Sequence, residues 1–193
     1  MGIWCEGVER EHEILLQQAE ALETALTVDV PPEERRIVLS WIIRNLWPAL
    51  GLHLRKEEEV LFPAVRRLLG EGAGAVTLMR EQHQELREAH RRLAELLQFQ
   101  EHVDWVAIHV AAEGLINLME DHQNKERHLI LDVMGFSLKL KNLKELAGEF
   151  ENVGRRIHEE DGWPETILSK KVGPATGRPL EKKEGAVADV KLG

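Results

Sequence analysis

The chain has 193 residues, with 25 Lys and Arg against 34 Asp and Glu, a formal net charge of −9, nine His, one Cys, five Trp, four Phe and no Tyr. A single Cys excludes a disulfide framework and any multi-Cys zinc site. The acidic balance argues against a nucleic-acid partner. What is left as metal-binding stock is histidine plus carboxylate, in a length that one domain fills.

No basic segment followed by an apolar run opens the chain, and Glu6 stands where a myristoylation signal after Met1-Gly2 needs Ser or Thr. The most apolar window, 37–54, holds Arg44, Asn45 and Pro48, and reads as a buried core helix rather than a membrane span. These features predict a cytoplasmic protein with no membrane partner and with Cys5 as an unreactive thiol.

The first helix is expected over 8–27, where Val8, His12, Leu15, Ala19, Leu22 and Leu26 recur at helical spacing. Pro31-Pro32 before Glu33-Glu34 starts the second. It runs over 32–69 with Leu39, Ile42, Leu46, Leu50, His53, Glu57, Val60 and Ala64 on one face. Pro48 should kink it and Pro63 should bend or end it. After the glycines at 70–74, a third helix over 75–99 carries Val76, Met79, His83, Leu86, His90, Leu93 and Leu97. A fourth, over 105–134, carries Ile108, Ala111, Leu115, Leu118, His122, Glu126, Leu129 and Val133, and Gly135 closes it.

The pattern is all-α: an antiparallel up-down-up-down four-helix bundle over 1–135. A weaker stripe, Phe136, Leu140, Leu143, Ala147, Phe150, Val153 and Ile157, predicts an extra C-terminal helix over 136–158. The composition then changes, and 159–193 reads as a poorly ordered tail.

Two short segments repeat. His53-Leu-Arg-Lys-Glu57 and His122-Gln-Asn-Lys-Glu126 match at an offset of 69, and Glu11-His12-Glu13 and Gln82-His83-Gln84 at an offset of 71. Each half is a helix with one His early, then a helix with His and Glu four residues apart, late. Residues four apart share a helix face, and in an antiparallel bundle early on one helix is level with late on the next. His12, His53, Glu57, His83, His122 and Glu126 therefore converge on one layer. Burying four imidazoles and two carboxylates unpaired would cost several kcal/mol per charge. A metal centre removes that cost, and the mixed donors suit iron, manganese or zinc. With two ions sharing six ligands, each takes two His and one oxygen from both Glu57 and Glu126. A solvent oxo or hydroxo bridge is a fifth ligand, leaving an octahedral ion one open position for a small ligand.

The stretch from His53 to Pro63, HLRKEEEVLFP, and the order His12, His53, Glu57, His83, His122, Glu126 resemble the hemerythrin-like (HHE cation-binding) family over 8–134. The resemblance implies a four-helix bundle around two non-haem iron ions. It also implies a small diatomic ligand or peroxide as partner, with an external electron donor where turnover occurs. Family members bind dioxygen, handle peroxide or nitric oxide, sense iron or oxygen, or help repair iron centres. The oxygen-carrier branch has a fifth His four residues after the one in the third helix. Here that position is Arg87, which groups the chain with the four-His, two-Glu branch suited to sensing, scavenging or redox chemistry. Peroxide or nitric oxide turnover and an iron-storage or regulatory role are the alternatives.

Several residues remain outside the set. His90 faces the core about 10 Å from His83 and reads as a hydrogen-bonded core residue, with an added ligand or a proton relay as the alternatives. Glu58 either accepts a hydrogen bond from a ligand His or lies on a solvated face. Glu59, His102, His109, His128 and His158 read as surface residues, and Trp41, Trp47 and Trp105 as core or rim packing.

Overall fold

The computed structural model describes residues 5–70, 74–98 and 103–161, and among these every regular element is a helix. Helix α1 spans Glu6–Thr27. Helix α2, Pro32–Leu69, begins with proline at its first turn, where a missing N–H costs nothing. Helix α3 spans Gly74–Leu96. Helix α4 begins as Trp105–Glu126 and continues without a break to Ser137. Its start is capped by Asp104, whose side chain accepts a hydrogen bond from the Ala107 N–H at 2.9 Å. Helix α5 spans Leu140–Asp161.

Helices α1, α2, α3 and α4 form a closed ring of neighbours: α1 packs on α2 and α4, and α3 packs on α2 and α4. This is a helical bundle. Helix α5 lies against α2 and α1 at one end of it. By length and composition α2 is apolar enough to cross a membrane, yet half of that apolar window is buried inside the protein.

The core is divided in two. A larger apolar cluster runs from Leu15, Leu22, Leu39 and Leu46 to Leu86, Leu93, Leu115 and Met119. A smaller one joins Val8, Leu61, Phe62, Val65, Val76, Met79, Ile130 and Met134 to Leu143, Leu146 and Phe150 of α5. On each bundle helix His12, His53, His83 or His122 falls between the two clusters, so a polar layer crosses the bundle with apolar packing on both sides.

Sequence periodicity fails at one recurring feature. Both α2 and α4 contain a π-helical turn, Glu57–Leu61 and Arg127–Leu131. Each turn closes with a hydrogen bond five residues back, from Phe62 N–H to Glu57 and from Asp132 N–H to Arg127. The wider turn takes in one extra residue, which advances the buried face by one position. Leu129 and Val133, expected in the core, are only half-buried, and Ile130 and Met134 are buried in their place. In α2, Val60 and Ala64 remain buried, but Leu61 and Val65 are the more enclosed.

Helix α2 also runs on through Pro63, which falls in the first turn after the π-helical segment, where its missing N–H does little harm. The equivalent stretch of α4 contains no proline and has the same turn. The turn therefore belongs to the site it flanks, a common location for such turns, and not to the proline.

Other boundaries shift as well. Gly135 does not close α4, which ends at Ser137 with Leu138 extended. Phe136 belongs to that last turn, is 90% exposed, and takes no part in α5 packing. Helix α5 continues past Glu159 to Asp161. The rest of the expected tail, 162–193, lies outside the described residues, as does His102. Trp41 is 55% exposed, which places it outside the core.

Candidate metal centre

The six residues singled out by spacing all meet in the polar layer. Each is at most 3% exposed, and His53, Glu57, His83 and Glu126 are wholly enclosed. They form two groups of potential ligand atoms, His12, His53, Glu57 and Glu126 in one and Glu57, His83 and His122 in the other. Glu57 belongs to both, with one oxygen in each. Its Oε1 lies 2.6 Å from His53 Nε2, and its Oε2 lies 3.0 Å from His83 Nε2 and 3.6 Å from His122 Nε2. Glu126 Oε2 is 2.7 Å from His12 Nε2, on the first side.

His83 Nε2 and Glu57 Oε2 are aligned as a hydrogen bond, but other atoms of the layer are not. Glu57 Oε1, both Glu126 oxygens and both ring nitrogens of His122 have no hydrogen-bond partner. These unpartnered atoms stand among potential ligand atoms that all lie within 4.8 Å of one another in each group. His12 Nε2 and His53 Nε2 are 3.1 Å apart. Two nitrogens about 2.1 Å from one ion and at right angles to each other stand about 3 Å apart. An unpaired buried carboxylate is costly, and a cation held among these atoms relieves it. The donor set fits a divalent metal ion.

Behind the convergent atoms stand two further carboxylates. His53 Nδ1 donates to Glu11 Oε2 at 3.0 Å, and His83 Nδ1 donates to Glu58 Oε1 at 2.6 Å. Each fixes its ring so that Nε2 faces inward, a common support for metal-binding imidazoles. Each carboxylate has its own cation: Lys56 donates to Glu11, and Arg87 donates to Glu58 at 2.7 Å. Of the two readings of Glu58, the outer hydrogen bond is the one present. Arg87 does not enter the ligand groups but holds Glu58.

The electrostatics follow from this density of carboxylates. Burial on its own would lower the His53 pKa; Glu57, followed by the Glu11 hydrogen bond, overrides it and raises the group to about 10. His83 moves upward for the same reasons, through Glu57 and Glu58. Burial would raise Glu57, but His53 and then His122 hold it well below the usual carboxylate range. Glu11 is also lowered against burial, chiefly by His53 and then Lys56. Glu58 sits at about 2, pulled down by His83 and Arg87 against burial.

Glu11 and Lys56 were not picked out from the sequence. Glu11 adjoins His12 and so falls off the stripe by about 100° of helix rotation. Lys56 carried a usable signal, since it stands three residues after His53 and such pairs share a face. The remaining residues are placed as their spacing suggests. His90 Nε2 donates to the Ile43 carbonyl at 2.9 Å and its ring stacks on Trp47. His109 and His128 are exposed beside Glu113 and Asp132. The Cys5 thiol is buried, and burial followed by Glu9 pushes its pKa up, which keeps it a poor nucleophile.

No curated protein and no solved structure matches the chain. The family model of the hemerythrin HHE cation-binding domain matches residues 6–133, which span all four bundle helices and every residue of both ligand groups. The chain belongs to the hemerythrin HHE cation-binding family.

Proposed function

We propose that the polar layer holds two non-haem iron ions and binds O₂ or another small ligand there, for sensing, scavenging or detoxification. The observation that carries this reading is the cluster of buried carboxylate and imidazole atoms, with Glu57 Oε1, both Glu126 oxygens and both His122 nitrogens lacking a hydrogen-bond partner. His12 and His53 would hold one ion with Glu126, His83 and His122 the other, and Glu57 would join them through its two oxygens. Iron bound there would supply a redox couple and a Lewis-acidic position for a small ligand. The chain fixes the donors, excludes bulk water with apolar packing on both sides, and orients His53 and His83 through Glu11 and Glu58. The early-with-late meeting of histidines is what an up-down-up-down arrangement of α1 to α4 would produce. The donor types also suit manganese or zinc, so metal identity is part of the test.

Metal analysis of the purified protein is expected to give two irons per chain. The reduced, iron-loaded protein mixed with O₂, or the oxidised protein mixed with azide, should develop the charge-transfer bands of ligand-bound ferric iron. A chain that takes up no iron, or one whose spectrum is unchanged by either reagent, would defeat the proposal. Steady-state peroxide consumption well above that of free iron, lost in His122→Ala, would instead make the protein an enzyme.

A further inference from the structure

Two charges are buried beside the metal centre without belonging to it. Lys56 is 2% exposed and Glu11 4%. The Lys56 ammonium donates to Glu11 Oε1, and Glu11 Oε2 accepts from His53 Nδ1 at 3.0 Å. The far side of Lys56 is closed by helix α5. Its Nζ lies 3.9 Å from the centre of the Phe150 ring, and a Cβ on Gly154 would come within 3.2 Å of Lys56 Nζ and Cε. Glycine at 154 gives the ammonium room that a side chain there would narrow. An unbroken chain therefore runs from α5 through Lys56 and Glu11 to a residue of the first ligand group.

A buried ion pair is weak grounds for stability, because apolar residues of similar size usually serve as well. The arrangement calls for another purpose, and its inner end supplies one. A carboxylate on the outer nitrogen of an imidazole makes the inner nitrogen a stronger donor, and a cation on that carboxylate moderates the pull. We propose that Lys56 and Glu11 are positioning residues that set the donor strength of His53 toward the bound metal, and that helix α5 takes part by holding Lys56 in place. The second group has a counterpart in Arg87, Glu58 and His83, but Arg87 and Glu58 are 39% and 30% exposed. Solvent screens that pair, so the buried chain has the greater influence.

This inference rests on the metal reading above, and its test uses the iron-loaded full chain, with midpoint potential and iron affinity as the readouts. In Lys56→Met the relieved Glu11 carboxylate pulls harder on His53, a positive charge is lost, and the potential falls. In Glu11→Gln a negative charge is lost, the imidazole becomes the weaker donor, the potential rises, and iron affinity drops by about ten- to a hundredfold. Gly154→Leu, which forces a side chain into the seat of Lys56, moves the potential the same way as Lys56→Met. Arg87→Met moves it the same way but less.

A purely structural role predicts loss of iron in each variant and no opposition of sign. Shifts of one sign in Lys56→Met and Glu11→Gln, or parental potentials in variants that fold by circular dichroism, would overturn the proposal. An unchanged potential in folded Gly154→Leu would remove α5 from it. Should a single variant not fold, the double variant Glu11→Gln with Lys56→Met leaves no charge unpaired, and it should fold with the same ten- to hundredfold loss of affinity. Parental affinity in the double variant overturns the proposal. Failure of the parent chain to take up iron would overturn the metal reading itself, and this inference with it.

Discussion

Among single residues, Glu57 has the most consequential position. One of its oxygens stands in each ligand group, whereas Glu126 stands in one. Glu57→Ala should therefore abolish metal uptake in both groups. Glu126→Ala should spare the group of Glu57, His83 and His122, so that metal analysis finds a partly loaded chain. Equal metal content in the two variants would contradict the sharing of Glu57. Glu59 is the control: its carboxylate bonds Arg55 and Arg156 at the surface, and Glu59→Ala should keep parental metal content. Glu58→Gln falls between, with an affinity loss of about ten- to a hundredfold through His83. The six convergent residues were legible in the sequence because the His-to-Glu spacing of four recurs on two helices in the same place relative to their ends. Glu11 was not, since a helix pattern scores whether a residue faces the core and not which nitrogen it supports.

At the level of the element, the π-helical turns mark where reading by period stops working. A stripe counted at 3.6 residues per turn passes smoothly through Glu126 to Leu129 and Val133, and nothing in their side chains warns that the next turn is wider. Ile130 and Met134 are apolar too, so either register looks like a core. The bundle helices before Glu57 and Glu126 were legible for the opposite reason: their polar faces leave only one register that buries no unpaired charge. The two turns begin at Glu57 and directly after Glu126, which ties them to the placement of the carboxylates. Deleting Glu59, an outward-facing residue of the first turn, should restore an ordinary α-helix with Val65 and Leu50 still on the core side. Such a protein should melt near the parental temperature, since an unbroken α-helical hydrogen-bond ladder replaces the wider turn, and should lose metal affinity. Retained affinity would show that the turn does not place Glu57.

For the molecule as a whole, the charged layer lies between two apolar clusters, and α5 completes the smaller one. Phe150 is 2% exposed there, and Phe150→Ala should cost about 3–5 kcal/mol in urea denaturation. The layer also makes stability depend on pH, and differently in the metal-free and loaded protein. In the metal-free chain the His53 pKa is raised from 6.5 to about 10, and His83 is raised as well. A raised group stabilises fully below its unfolded value of 6.5, and that contribution is lost as pH climbs toward the folded value. Glu57, Glu11 and Glu58 are depressed from 4.5, so their contribution holds above 4.5 and disappears as pH falls below it. The metal-free protein should thus be most stable between about 4.5 and 6.5, and weaken steadily toward pH 10. Metal binding removes the upper limb. The imidazoles must lose their protons to bind an ion, so affinity rises with pH over the same interval in which the metal-free fold loses stability. Thermal melts of loaded and metal-free protein should therefore lie closest near pH 6 and separate progressively toward pH 9. A constant separation across that range would mean that His53 carries no extra proton in the metal-free chain, and that the Glu57 and Glu11 carboxylates do not act on it as their distances indicate.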